Sequence, residues 1–159
     1  MTIKTADLYD AHGDQLAVAA PIFRSYGAKP AFAGQIATLR CFEDNKSARD
    51  ALNRGGAGKV LVVDGGGSLR TALVGGLIAA LAVEKGWQGI VVNGCIRDSV
   101  EINGLDLGVR ALGTNPTRPQ KRVDGELDVA VTFAGITFRP GEWLYADEDG
   151  LVVSKEMLA

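Results

Sequence analysis

Two neighbouring side chains, Arg97 and Asp98, close the segment Asn93-Gly-Cys-Ile-Arg-Asp, directly after the apolar run Gly89 to Val92. An arginine fork suits a carboxylate or a keto oxygen, and a lone carboxylate suits a Mg²⁺ ion that keeps most of its waters. Adjacent positions project differently, so the pair reads as two separate tools rather than one salt bridge. The dipeptide Gly75-Gly76 adds a third part, because it opens the run Leu77 to Lys85. Free backbone N–H groups at a helix start attract an anion, and glycine lets it come close. Together these features could seat a carboxylate or keto oxygen beside a divalent cation, while the glycine pair taken alone reads as close packing of the helix against the sheet.

Other candidates are weaker. The triplet Gly65-Gly66-Gly67 follows Asp64 but lacks the Gly-Lys-Ser/Thr of a phosphate loop and the spacing of a dinucleotide fingerprint. Asp64 is expected either to shape that turn or to approach the metal. His12 is the one histidine, which excludes an all-histidine metal site within one chain and argues against a hydrolase triad; it reads as a helix-end residue. Cys41 and Cys95 stand in apolar surroundings, where cysteine packs as a small hydrophobe. Asp147, Glu148 and Asp149 lack calcium-loop spacing and read as a solvated hairpin tip. Arg118, Lys121 and Arg122 lie in a polar stretch, Thr114 to Glu126, that reads either as a solvated loop or as a flap over a pocket.

The elements that must position these residues follow from the pattern. Val60 to Val63 is a short β-branched run, a buried strand that ends at Asp64. The helix opened by the glycine pair stops at Gly86, and Gly89 to Val92 is the next buried strand. Strand, crossover helix and strand make a right-handed parallel unit, in which ligands gather beyond the carboxyl ends of the strands, after Val63 and Val92. Upstream, Thr5 to His12 reads as a helix capped by Thr5, with Gly13 as a left-handed stop. Pro21 to Tyr26 follows, then a strand from Gln35 to Phe42, then a helix from Lys46 to Arg54 capped by Asn45 and ended by Gly55 and Gly56. Downstream, Val129 to Phe133, Ile136 to Arg139, Trp143 to Ala146 and Leu151 to Ser154 read as antiparallel strands, with Asp149 and Gly150 turning the last pair.

Composition sets the outer bounds. A chain of 159 residues with 47% hydrophobic and 23% charged residues is an ordinary globular mixture with enough chain for one core, so a single α/β domain with a mixed sheet is expected. The net charge of −2 and the lack of a Lys/Arg run leave no footprint for nucleic acid. No 18-residue apolar stretch could span a bilayer, and Met1 to Asp10 is polar where a signal peptide needs an apolar core. A cytoplasmic location is the expectation.

The segments Leu61-Val-Val-Asp-Gly-Gly-Gly-Ser-Leu, Gly75-Gly-Leu-Ile-Ala, Val91-Val-Asn-Gly-Cys-Ile-Arg-Asp and Trp143-Leu-Tyr-Ala-Asp-Glu-Asp-Gly resemble the family that joins regulator of ribonuclease activity A (RraA) to the 4-hydroxy-4-methyl-2-oxoglutarate aldolases. The likeness runs from Thr5 to Val153. It implies a swivelling β/β/α domain, a ring-shaped homotrimer and a class II, metal-dependent lyase. It further implies that Arg97 contacts the keto acid and that Asp98 holds a divalent metal, Mg²⁺ or Mn²⁺, through its water shell. The backbone of Gly75, Gly76, Leu77 and Ile78 would hold the substrate carboxylate. The implied reaction is cleavage of 4-hydroxy-4-methyl-2-oxoglutarate to two pyruvates, with oxaloacetate decarboxylation as a side activity, both through a pyruvate enolate. One position departs from the pattern: the aldolases carry an acidic residue 21 positions before the Arg, and here that residue is Gly76, which leaves the general base unassigned. The family's ribonuclease regulators supply the alternative, a binding protein for the RNase E machinery, against which Asp98 and the net charge of −2 speak.

Overall fold

In the computed structural model, which describes residues 2–120 and 124–158, the chain runs α1 (Thr5–His12), a 3-10 turn (Gly13–Gln15), β1 (Leu16–Val18), β2 (Arg24–Tyr26), β3 (Phe32–Arg40), α2 (Lys46–Asn53), β4 (Lys59–Asp64), β5 (Ala72–Val74), α3 (Gly76–Glu84), β6 (Gly89–Ile96), α4 (Ser99–Ile102), β7 (Gly108–Thr114), β8 (Glu126–Leu127), β9 (Val131–Phe133), β10 (Ile136–Phe138), β11 (Trp143–Asp147) and β12 (Gly150–Ser154). Among the described residues ten of these strands form one mixed sheet in the order β1-β12-β11-β3-β4-β6-β7-β2, with β5 pairing β6 and β8 pairing β3. The central pairs β3–β4, β4–β6 and β6–β7 are parallel, and the flanking pairs are antiparallel. The parallel unit expected from residues 60 to 92 is therefore present as β4, α3 and β6.

Alternation along β4 explains the layering. Leu61 and Val63 join a core with Ala48, Ala51 and Leu52 of α2 and Ile78, Ala79 and Ala82 of α3. Val60 and Val62, on the opposite face, join Val131, Phe133, Ile136 and Phe138 of the separate β9–β10 hairpin. A strand buried on both faces needs a continuous apolar run, which is what Val60 to Val63 supplies, at roughly 1.5 to 3 kcal/mol for each side chain removed from water. Helices, sheet and hairpin thus make three layers. No helix among the described residues is long and apolar enough to cross a membrane.

Several local expectations change. Thr5 is the first residue of α1 rather than its cap, and Gly13 is right-handed at φ −40, opening a 3-10 turn. Asn45 makes no side-chain cap; the buried Asp44 does this work, accepting the Lys46 N–H at 2.9 Å and the Ser47 hydroxyl at 2.7 Å. The strand expected at Gln35 to Phe42 lies three residues earlier at its start and ends at Arg40. Asp147 pairs with Gly150, so Glu148 and Asp149 form the turn. Asp147 is not solvated as expected: it is buried, and it accepts hydrogen bonds from the Thr5 N–H at 2.7 Å and the Thr5 hydroxyl at 2.6 Å. Burial pushes its carboxyl up, but the bonds from Thr5 and from the Asp149 and Gly150 amides outweigh this and hold it below the usual carboxylate value. Both cysteines are buried and free, and burial, with Asp44 and Asp64 nearby, pushes the Cys41 thiol up to about 12.

Candidate active site

Strand β6 runs out at Ile96 and delivers Arg97 and Asp98 at the carboxyl edge of the parallel strands. Asp98 then adopts a left-handed conformation at φ +57, tolerable for a short polar side chain, and α4 starts behind it. The same sheet edge receives β5, whose last residue Val74 accepts the Arg97 N–H at 3.0 Å before the chain turns through Gly75 into α3. Two chain segments more than twenty residues apart are therefore joined at the point where the glycine pair and the Arg-Asp pair meet.

The meeting is close. Oδ2 of Asp98 accepts the Gly76 N–H at 2.8 Å. A Cβ added at Gly75 would lie 3.1 Å from that oxygen and 3.3 Å from Nε of Arg97, so the backbone at Gly75 is in contact with both side chains. Gly75 sits at the N-cap position of α3 without a side chain of its own, and Asp98 supplies the missing acceptor from across the site. One element of the expected anion site changes as a result. The Gly76 amide already has a partner, so the N–H groups left without an intrahelical acceptor at the start of α3 are those of Leu77 and Ile78.

A further carboxylate enters that the sequence reading did not single out. A Cβ at Gly76 would meet the Glu101 carboxylate at 2.4 to 2.8 Å, so the space that a side chain at position 76 would fill is held by Glu101. The one-turn helix α4, begun by the left-handed Asp98, brings Glu101 back over α3. No sequence signal marked Glu101, because Asp98 is left-handed and α4 is a single turn.

The donor set fits a hard, hydrated divalent cation. Asp98 uses Oδ2 on Gly76, and among the described residues Oδ1 has no protein partner; Glu101 adds a second carboxylate. No group of three or more His, Cys, Asp or Glu side chains capable of gripping a metal occurs among the described residues, so an ion held here would rest on these two carboxylates and its own waters. Arg97 is half-buried and its Nη1 donates to the Pro116 carbonyl at 3.4 Å. Arg40, Arg54 and Arg70 each face a carboxylate, whereas no ion pair of Arg97 occurs among the described residues. Its charge is therefore available to an anionic ligand. The site is open: Asp98 and Glu101 are exposed, and Leu77 and Val100 beside them are 80% and 88% exposed.

The remaining candidates are accounted for structurally. The Gly65 and Gly67 amides donate to the Asn93 carbonyl, both at 3.1 Å, and the Gly66 amide donates to Asp64 Oδ1 at 2.9 Å. No amide of that loop is left to cradle a phosphate. Asp64 also accepts from Asn93 Nδ2 at 3.0 Å, so it shapes the turn. A cavity of about 400 Å³ at the ends of β3 and β4 is lined by Arg40, Phe42, Asp64 and Glu126, not by the convergent residues. In the polar loop, residues 115–117 are hydrogen-bonded to the body and Arg118 is exposed, whereas Lys121 and Arg122 lie outside the described residues. His12 ends α1, as expected.

Comparison with known proteins places the chain in a family. The family model RraA-like, described as Aldolase/RraA, matches residues 5–153. A protein of Dechloromonas aromatica named "Putative 4-hydroxy-4-methyl-2-oxoglutarate aldolase" is 55% identical, with 99% of each chain covered. Among solved structures, the RNA-processing inhibitor RraA from Thermus thermophilis superposes with a TM-score of 0.95 at 45% identity, covering 100% of this chain and 96% of that one. A Geobacillus kaustophilus protein named S-adenosylmethionine: 2-dimethylmenaquinone methyltransferase superposes with a TM-score of 0.96 at 47% identity, over 98% of this chain and 97% of that one. With nearly its whole length matched in sequence and in fold, the chain belongs to the RraA-like family.

Proposed function

We propose that the chain is a divalent-metal-dependent lyase that cleaves 4-hydroxy-4-methyl-2-oxoglutarate to two pyruvates and decarboxylates oxaloacetate as a secondary activity. The observation that carries this reading is the meeting of Arg97, Asp98 and the start of α3 at one point of the sheet edge. The substrate is taken from the name of relatives such as the Dechloromonas protein. The methyltransferase name of the Geobacillus protein is not carried over, because the amides of Gly65, Gly66 and Gly67 are already paired.

In this reading the Leu77 and Ile78 amides receive the substrate carboxylate, and Arg97 forks onto the keto acid where negative charge grows as the carbon–carbon bond breaks. Asp98, supported by Glu101, would hold the Mg²⁺ or Mn²⁺ ion, which when bound supplies Lewis-acid stabilisation of charge on the keto oxygen. Glu101 brings a carboxylate to the place where the family resemblance expects one at position 76, and there it orients the water or moves the proton that cleavage requires. The exposed Leu77 and Val100 on the rim favour a site completed by another copy of the chain, in keeping with a homotrimer.

Likeness to the Thermus RraA supports a second reading, a regulator that binds RNase E without catalysis. The retained Arg97 and Asp98, with the Glu101 carboxylate beside them, favour the lyase. Pyruvate release from both substrates by the purified protein, with Mg²⁺ and after EDTA, tests the choice: release that depends on metal is expected, and no release from either substrate would overturn the lyase.

A further inference from the structure

The turn at 115–117 holds together two parts of the site that the chain brings in separately. Asn115 follows the end of β7, and its N–H donates to the Ile96 carbonyl at 3.0 Å. Its side chain uses both ends of the amide. Oδ1 accepts the Thr117 N–H at 2.8 Å, closing a tight turn over Pro116, and Nδ2 donates to the Leu69 carbonyl at 2.7 Å. The Thr117 carbonyl accepts the Ala72 N–H at 2.9 Å, so the turn is tied at two points to the segment that continues through β5 into Gly75 and Gly76. At the top of the turn the Pro116 carbonyl faces Nη1 of Arg97 at 3.4 Å.

A carbonyl suits this place. A long arginine side chain loses rotamer entropy whenever it is ordered, and a neutral acceptor can order it in advance without cancelling the charge a ligand needs. A carboxylate would order it and neutralise it. The Pro116 carbonyl can do this only if its own turn is fixed, and Asn115 is the side chain that fixes it.

We infer that Asn115 is a positioning residue: it holds the Pro116 carbonyl against Arg97 and, through Leu69, keeps the approach to the α3 N-terminus in register with it. The inference rests on Arg97 being the keto-acid ligand, as proposed above. Only an amide supplies both bonds. Asn115→Ala removes both, whereas Asn115→Asp keeps the acceptor for Thr117 and loses the donor to Leu69.

The test is a double-mutant cycle between position 115 and Arg97→Lys in the full-length protein. It reads pyruvate affinity together with the ¹⁵N resonance of the Arg97 Nε–H group, identified by its loss in Arg97→Lys. Asn115→Ala is expected to shift or broaden that resonance and to weaken pyruvate binding roughly 10-fold or more. It should add little in the Arg97→Lys background, and Asn115→Asp should fall between wild type and Ala. If Asn115→Ala does not fold, Asn115→Asp carries the same cycle. An unchanged Arg97 resonance, or an equal loss of affinity with and without Arg97, would overturn the positioning role. A shifted resonance in a protein that neither binds nor releases pyruvate would uphold the positioning and overturn the lyase reading instead.

Discussion

Asp98 accepts the backbone N–H of Gly76 at 2.8 Å, from 22 positions further along the chain, and so caps a helix that has no capping side chain of its own. This bond gives Asp98 a structural role beside the metal-holding role proposed for it, and the two roles separate by substitution. Asp98→Ala loses the cap and places a residue with a Cβ but no polar side chain at φ +57, so it is expected to cost about 1 to 2 kcal/mol. Asp98→Asn keeps an acceptor and tolerates the left-handed backbone, and should stay within a few tenths of a kcal/mol of wild type. Thermal unfolding of both variants checks this, Asp98→Ala melting roughly 3 °C or more below Asp98→Asn.

Gly76→Ala puts a methyl where the Glu101 carboxylate now sits, 2.4 Å from Oε2. The far end of a flexible, exposed side chain will move before the helix does, so stability should change little. Turnover should fall roughly 10-fold or more, since displacing a group that takes part in proton transfer loses a contribution on the order of 10² to 10⁴. Unchanged turnover in a folded Gly76→Ala protein would remove Glu101 from the mechanism.

Arg97→Ala should lower turnover by on the order of 10² to 10³, comparable with the loss of one oxyanion donor in other enzymes. Arg97→Lys should recover only part, because an ammonium is a point charge and cannot fork onto a planar ligand. Steady-state pyruvate release from oxaloacetate measures both variants.

Hydrogen bonds join Thr5 to Asp147, 142 positions further along the chain, and they help to hold the Asp147 carboxyl below its usual value. A carboxyl depressed in the folded state contributes stability above its unfolded-state pKa and loses it as pH falls through the folded-state value. Thr5→Val should therefore destabilise by about 1 to 3 kcal/mol at pH 7, and the deficit should shrink as the medium becomes acid enough to protonate Asp147. Urea titrations at pH 7 and at successively lower pH would show the two curves converging.

The legible part of this protein was the part written in consecutive residues. Val60 to Val63, the glycine pair, the apolar run after it and Gly89 to Val92 read as one parallel unit because each signal is local, and the unit put Arg97 and Asp98 beside the start of α3. The Asp98 to Gly76 bond was not legible, because a left-handed turn at an aspartate leaves no pattern. Glu101 was missed for a related reason: α4 has four residues, too few for helical periodicity. Asp147 sits in an acidic triplet that resembles a solvated turn, and its burial depends on Thr5, whose proximity only the folded chain creates. The three-residue strands β1, β2 and β5 likewise owe their place to the sheet beside them rather than to their own composition.

The most direct test of the central claim is pyruvate release from 4-hydroxy-4-methyl-2-oxoglutarate and from oxaloacetate, measured for the wild-type protein and for Asp98→Asn, each with Mg²⁺ and after EDTA. Because Asp98→Asn keeps the Gly76 bond, it changes the charge offered to the metal while leaving the fold in place. Wild-type release that EDTA abolishes, lost in a well-folded Asp98→Asn protein, is the predicted result. Wild-type release that persists in EDTA, or that Asp98→Asn retains in full, would contradict the assignment of Asp98 as the metal-holding residue of a lyase.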